Sequence, residues 1–290
     1  MPSKVVARLS IVNIAIVLLI GAAGCSASPA AEADEYLEEA KRAHDAERVA
    51  DARLLAEMAL EEGRRQGEAR ELLAEISRNR AEAMMAEEDY LRAHSAYLDA
   101  AELETSRTTR GRDIVGAMEA AEMADLPVEE QLELAFRALE DLPHERDIHR
   151  NVARIAEDRG DDSLAAEHYL WLFSADPEDT HSGLRLGIIY LALEQPADAA
   201  SVLKRVYEQQ PENVQAALNL ANAYAILRHD DEASELFQHL LDDFPGHPAI
   251  LRHYAEFEEG RGEREKARRL REKAGEASPG VEPREMRPLQ

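Results

Sequence analysis

The chain has 290 residues, with 59 acidic against 34 lysine and arginine side chains and a formal charge of −25. Such a body repels nucleic acid and anionic lipid headgroups alike, which excludes polyanion binding and attachment to a membrane by surface charge. Its one cysteine has no disulfide partner and no companions for a thiolate metal cluster.

In chain order, residues 1–24 come first: a charged start (Lys4, Arg8), an apolar stretch from Leu9 to Ile20, then small residues closing on Ala22-Ala23-Gly24-Cys25. An uncut membrane span would need ~20 apolar residues, and Leu9 to Gly24 falls short. Ordinary cleavage near the alanines is the other alternative. The segment resembles a bacterial lipoprotein signal peptide with its lipobox. That resemblance implies cleavage before Cys25, acylation of the cysteine and, with Ser26 rather than aspartate following it, residence at the outer membrane of a two-membrane cell. Several acyl chains anchor far more stably than one. Residues 25–33, rich in alanine and serine, are expected to form a short tether.

From residue 34 to 104, alanine, leucine, glutamate and arginine recur at helical spacing, with no alternation long enough for a strand. Glu35 to Gly63 and Glu68 to Glu104 each predict two helices, paired as irregular hairpins. The polar run Thr105-Ser106-Arg107-Thr108-Thr109-Arg110-Gly111 predicts a hinge over residues 105–112.

Beyond it lies a ladder: Pro143, Pro177, Pro211, Pro245 and Pro279 stand 34 residues apart. With 12 prolines in 290 residues, five in one register is not a chance arrangement. Other positions keep the same phase. Thr180 to Pro211 carries Leu186, Gly187, Tyr190, Ala199 and Leu203. Val214 to Pro245 carries Leu220, Ala221, Tyr224, Ala233 and Phe237. The flanking units keep Ala153, Gly160, Ala165 and Tyr169, and Ala255, Gly262, Ala267 and Ala274, but place Glu258 and Arg271 at usually apolar sites. Arg112 to Pro143 retains little beyond Ala138 and its proline.

These residues resemble the tetratricopeptide repeat (TPR), and so do Ala93, Tyr97 and Ala100 earlier in the chain. The resemblance implies an all-α fold, an α-solenoid in which antiparallel helix pairs stack as a right-handed superhelix. The array is expected over residues 113–278, with a disordered tail over 279–290 and six or seven hairpins in all. Small residues such as Gly187 and Ala199 let two helices approach, while Tyr190, Tyr224 and Phe237 fill the gap to the next pair.

Catalytic chemistry finds no constellation here. His144 and His149 are five apart and His247 and His253 six, neither a metal spacing on one helix face, and His253 with Glu256 reads as ordinary surface polarity. Gly260-Arg261-Gly262 lacks the strand and third glycine of a nucleotide loop. No catalytic residue, metal or cofactor is expected.

The first helix of the Thr180 to Pro211 unit is apolar on more than one side. Leu184, Ile188 and Leu191 form a second stripe, matched by Leu218, Asn222 and Ala225 one repeat later. In the TPR family that stripe faces the concave groove. Either the groove receives an apolar or amphipathic peptide, with Asn222 bonding its backbone, or this chain's own N-terminal helices or tail cover it. In His168-Tyr169-Leu170-Trp171-Leu172-Phe173, Tyr169 and Phe173 are expected in the core and Trp171 as a surface contact.

The resemblance therefore implies a lipid-anchored, non-enzymatic scaffold for envelope proteins on the periplasmic side, binding no nucleic acid and no small-molecule substrate. The alternative is an accessory or regulatory part of a cell-wall or polysaccharide pathway.

Overall fold

The computed structural model describes residues 29–62 and 65–276. The leader 1–24, Cys25 and the tail 279–290 lie outside the described residues. Fourteen helices and no strand occur among those described. They pair as α1 (Pro29–Asp45) with α2 (Val49–Glu62), α3 (Gln66–Ala86) with α4 (Tyr90–Leu103), and α5 (Arg107–Met123) with α6 (Val128–Asp141). The series continues as α7 (Arg146–Asp158) with α8 (Asp162–Ala175), α9 (Thr180–Ala192) with α10 (Pro196–Gln209), α11 (Val214–Ile226) with α12 (Asp230–Asp243), and α13 (Pro248–Gly260) with α14 (Arg264–Glu276). None of these helices is long and apolar enough to cross a membrane. The chain divides into two compact units, residues 1–148 and 149–290.

Two kinds of turn keep the hairpins in phase. Within each hairpin the first helix ends on a left-handed residue: Gly160, Glu194, Arg228 and Gly262, again 34 apart, after the less regular Glu47, Glu88 and Asp125. The amide after each one reaches back to a carbonyl five residues earlier, as in Gln195 N–H to Tyr190 O at 2.8 Å and His229 N–H to Tyr224 O at 2.9 Å. This bond closes otherwise orphaned carbonyls. Between hairpins, the prolines sit just past the second helices, where no amide donor is needed. Each lies inside a turn closed by one backbone bond: Glu145 N–H to Leu142 O, Asp179 to Asp176, Asn213 to Gln210 and His247 to Phe244. Side-chain caps then start the next helices, with Asp179 accepting from Ser182 N–H and Asn213 from Ala216 N–H, both at 3.1 Å.

Packing follows the expected small-residue positions. Ala153, Ala221 and Ala255 on first helices, and Ala165, Ala199, Ala233 and Ala267 on second helices, are buried. Gly187 has no room for a side chain, since a Cβ there would lie 2.4 Å from Leu203 Cγ. Gly183 is likewise closed by Phe173 and Val206. In the second unit, first helices also touch across hairpins, α9 on α11 and α11 on α13. One core accordingly runs from Ala199 to Ala274, with Tyr190, Tyr207 and Tyr224 packed on it. Tyr169 and Phe173 belong to the core as expected.

The first unit departs from the expected boundaries in two places. Helix α1 starts at Pro29, so residues assigned to the tether are already helical and Ala33 is buried; proline suits a first turn because its missing N–H would be unbonded there anyway. The expected hinge at 105–112 is the start of α5. Ser106 caps it by accepting from Thr109 N–H at 3.4 Å. Arg110 grips the Asp141 carboxylate through Nε at 2.6 Å and Nη2 at 2.7 Å, Arg107 adds a third bond at 3.1 Å, and Gly111 lets Leu142 close on the backbone. The polar side chains are spent on a cap and on ion pairs to the end of α6, which is why the run is polar without being a linker.

Two substitutions test this packing by urea denaturation. Gly187→Ala should lower stability by about 1 kcal/mol, the clash with buried Leu203 outweighing the better helix propensity of alanine. Glu194→Gly should raise it by up to about 1 kcal/mol, because glycine adopts the left-handed turn without the Cβ penalty.

Candidate interaction site

The best-formed recess on the first-helix side of the second unit lies between α11 and α13, a cavity of about 470 Å³. Asn222, Ala225 and Ile226 line it from α11, and His253, Glu256, Phe257 and Gly260 from α13, with Arg228, Asp230, Phe237 and Arg261 at its ends. Phe257 is 8% exposed and packs 5.5 Å from the Phe237 ring, giving the recess an apolar floor. Ile226 is 53% exposed. The rim carries both signs: Arg261 lies over the Phe257 ring at 5.4 Å and 3.5 Å from Asp230, while His253 lies 3.9 Å from Glu256.

Of the six expected groove residues, Asn222 and Ala225 line this cavity. Leu218 is buried, and Leu184 and Leu191 pack on the core, so most of the second stripe is consumed by the stacking of α9 on α11. Ile188 is half-buried. Asn222 is exposed, and its amide makes no hydrogen bond to a described residue, whereas Asn219 donates to Gln215 O at 2.8 Å. The sequence reading did not single out Ile226 or Phe257, and it took His253 with Glu256 as ordinary surface polarity. Their signal was present: Ile226 is one turn beyond Asn222, and His253, Glu256 and Gly260 follow the i, i+3, i+7 spacing of one helix face.

Trp171 is half-buried. Its indole stacks on His149 at 3.7 Å and 5° and packs on the core formed by Ala153, Tyr169 and Leu186. His149 Nδ1 in turn lies 2.9 Å from His168 Nδ1, both rings buried. One nitrogen must donate and the other accept, and burial, with His149 beside it, pushes the His168 imidazole below its ordinary range. Both rings thus pack between α7 and α8. Among the described residues, no three His, Cys, Asp or Glu side chains converge to hold a metal ion.

Next to the cavity, Glu258 occupies a site that is usually apolar. Its carboxylate is 1% exposed, with Lys266 Nζ at 2.7 Å and Arg261 Nη1 at 3.6 Å. Lys266 also donates to the Tyr254 hydroxyl at 2.6 Å, and Ser234 Oγ lies 3.3 Å from that hydroxyl. The Lys266 ammonium loses some solvation there, but the bonds it donates to Glu258 and Tyr254 raise it above the ordinary lysine range. Three helices, α12, α13 and α14, are tied by this one network.

These hairpins are those of an α-solenoid, with recesses between successive helices of the second unit. The tetratricopeptide repeat profile matches residues 184–248, so that part of the chain is similar in sequence to tetratricopeptide repeats. A tetratricopeptide repeat protein from Parabacteroides merdae ATCC 43184 superimposes with a TM-score of 0.50 at 18% identity, over 72% of this chain and 81% of the other. The MamA protein does so with a TM-score of 0.51 at 18% identity, over 60% and 93%. At that identity the likeness concerns the fold alone. No curated protein sequence matches the chain.

Removing one member of the buried pair should be costly. Lys266→Met is expected to lower stability by about 2 kcal/mol, less than for a fully buried pair because Lys266 is 45% exposed and Arg261 remains. Glu258→Leu combined with Lys266→Met should recover most of the loss, since no uncompensated carboxylate is left; thermal melts of the three proteins check both.

Proposed function

We propose that this protein is a non-enzymatic adaptor, anchored by acylated Cys25 to a bacterial envelope membrane on its periplasmic face, that captures an extended segment of an envelope protein between α11 and α13. The observation that carries the capture is the recess itself: an apolar floor of Phe237 and Phe257, an exposed Ile226, and an exposed Asn222 amide that makes no hydrogen bond to a described residue. An amide of that kind can bond the backbone of an extended peptide while its side chains meet the apolar floor. The anchor is supported by the sequence of residues 1–26, and the outer membrane by Ser26. With a charge of −25 the body gains nothing from anionic headgroups, so a lipid must supply the attachment.

A photoreactive residue at position 226 should crosslink one envelope protein in living cells, and the companion change Asn222→Ala should weaken that crosslink without altering the fold by circular dichroism. Crosslinks confined to this chain would show the recess occupied by its own segments and retire the capture. Separately, Cys25→Ala should move the protein from the membrane fraction to the soluble periplasm; undiminished membrane retention would remove the anchor.

A further inference from the structure

A second recess, of about 380 Å³, lies on the other side of the same hairpins, between the second helices α10 and α12, and it does not depend on the α11/α13 reading. Its floor is apolar and aromatic: Leu220 and Leu236 are buried, and Tyr207 and Tyr224 are half-buried. Its wall carries Glu208, Glu232 and Glu235, with Lys204 and His239 beside them. Both basic side chains already have acidic neighbours. Lys204 lies 4.0 Å from Glu208, and His239 lies 3.2 Å from Asp243; His229, which stacks on Tyr224, lies 3.9 Å from Glu232. Glu235 has no ion-pair partner among the described residues. Tyr207 is held neutral by burial, with the nearby Asp243 charge adding to the effect.

We propose that this recess binds a basic segment of a partner protein, seating an arginine or lysine side chain with its apolar stem on Leu236 and its charged head between the tyrosine rings and the glutamates. The chemistry selects that occupant. An aromatic floor attracts a cation through its π faces and shelters an aliphatic stem. The Glu235 carboxylate, unpaired among the described residues, would be desolvated by a purely apolar segment, and the three glutamates together would repel an acidic one. An anionic membrane surface is excluded on the same ground.

The test uses a fluorescein-labelled peptide of three Leu-Arg pairs, with anisotropy read at an ionic strength of about 0.15 M so that diffuse attraction is screened. Glu232→Gln with Glu235→Gln should weaken binding about fivefold or more, while the charge-matched control Glu178→Gln with Glu212→Gln should change it less than about twofold. Tyr207→Leu, which keeps the apolar floor, should also weaken binding several-fold. All four glutamates are exposed, so these variants keep the fold. Equal weakening by the control pair would reduce the effect to overall acidity and overturn the proposal, as would unchanged binding in Tyr207→Leu. Failure of the peptide to bind also overturns it, and self-association seen by light scattering in that case would transfer the recess to the basic helix α14 of a second copy.

Discussion

The structure depends on how closely two helix backbones can approach once in every 34 residues. At Gly187 the distance is set by Leu203, which fills the space a side chain would take. The repeated alanines at 153, 221 and 255, and at 165, 199, 233 and 267, hold the same role along the second unit. Small residues alone would permit sliding, because a smooth groove has no preferred register. The left-handed closures at 160, 194, 228 and 262 and the proline turns after the second helices remove that freedom by fixing where each helix stops. Close packing and chain reversal therefore specify one another, and a hairpin is complete only when its neighbour covers its apolar side.

How much could be read from the chain follows from the range of each interaction. A left-handed turn, a proline corner or a close approach demands a residue type at a position, so Gly160, Pro211, Gly187 and Ala233 announce themselves. Ion pairs between helices demand nothing locally. Arg110 meets Asp141 across 31 residues, so a run containing serine, threonine and arginine resembled a hinge although it caps and clamps α5. Glu258 looked misplaced for the same reason, its partner Lys266 standing on the next helix. The stripe Leu184, Ile188 and Leu191 is ambiguous for the converse reason. A helix apolar nearly all round can serve burial or a groove, and half-buried Leu184 and Leu191 pack against the core where α9 meets α11.

The last hairpin shows the constraint being relaxed. In earlier repeats Tyr169, Leu203 and Phe237 occupy one second-helix position and are buried; its successor is Arg271, exposed and paired with Glu259. Arg268 similarly meets Glu265 and Glu272 on its own helix. Exposed pairs of this kind contribute little to stability, so α14 is held by Ala267, Leu270 and Ala274 and by the Glu258 network. A buried carboxylate is a poor source of net stability, but it tolerates only the arrangement that brings Lys266 to it. It can thus fix the register of a helix whose apolar face is narrow.

The same periodicity explains why the fold is more legible than the function. Positions that set spacing repeat: 153, 187, 221 and 255 are Ala, Gly, Ala and Ala. Positions facing outward on first helices do not: 188, 222 and 256 are Ile, Asn and Glu, and 192, 226 and 260 are Ala, Ile and Gly. Packing constrains the first set to small volumes, whereas the second set answers only to solvent or to a bound segment. The recess between α11 and α13 is built from that unconstrained set, Asn222 with Glu256 and Ile226 with Gly260. Binding selectivity in such a solenoid must therefore reside where successive repeats disagree. Here Ile188, Asn222 and Glu256 replace one another at one position, and Ala192, Ile226 and Gly260 at the next turn.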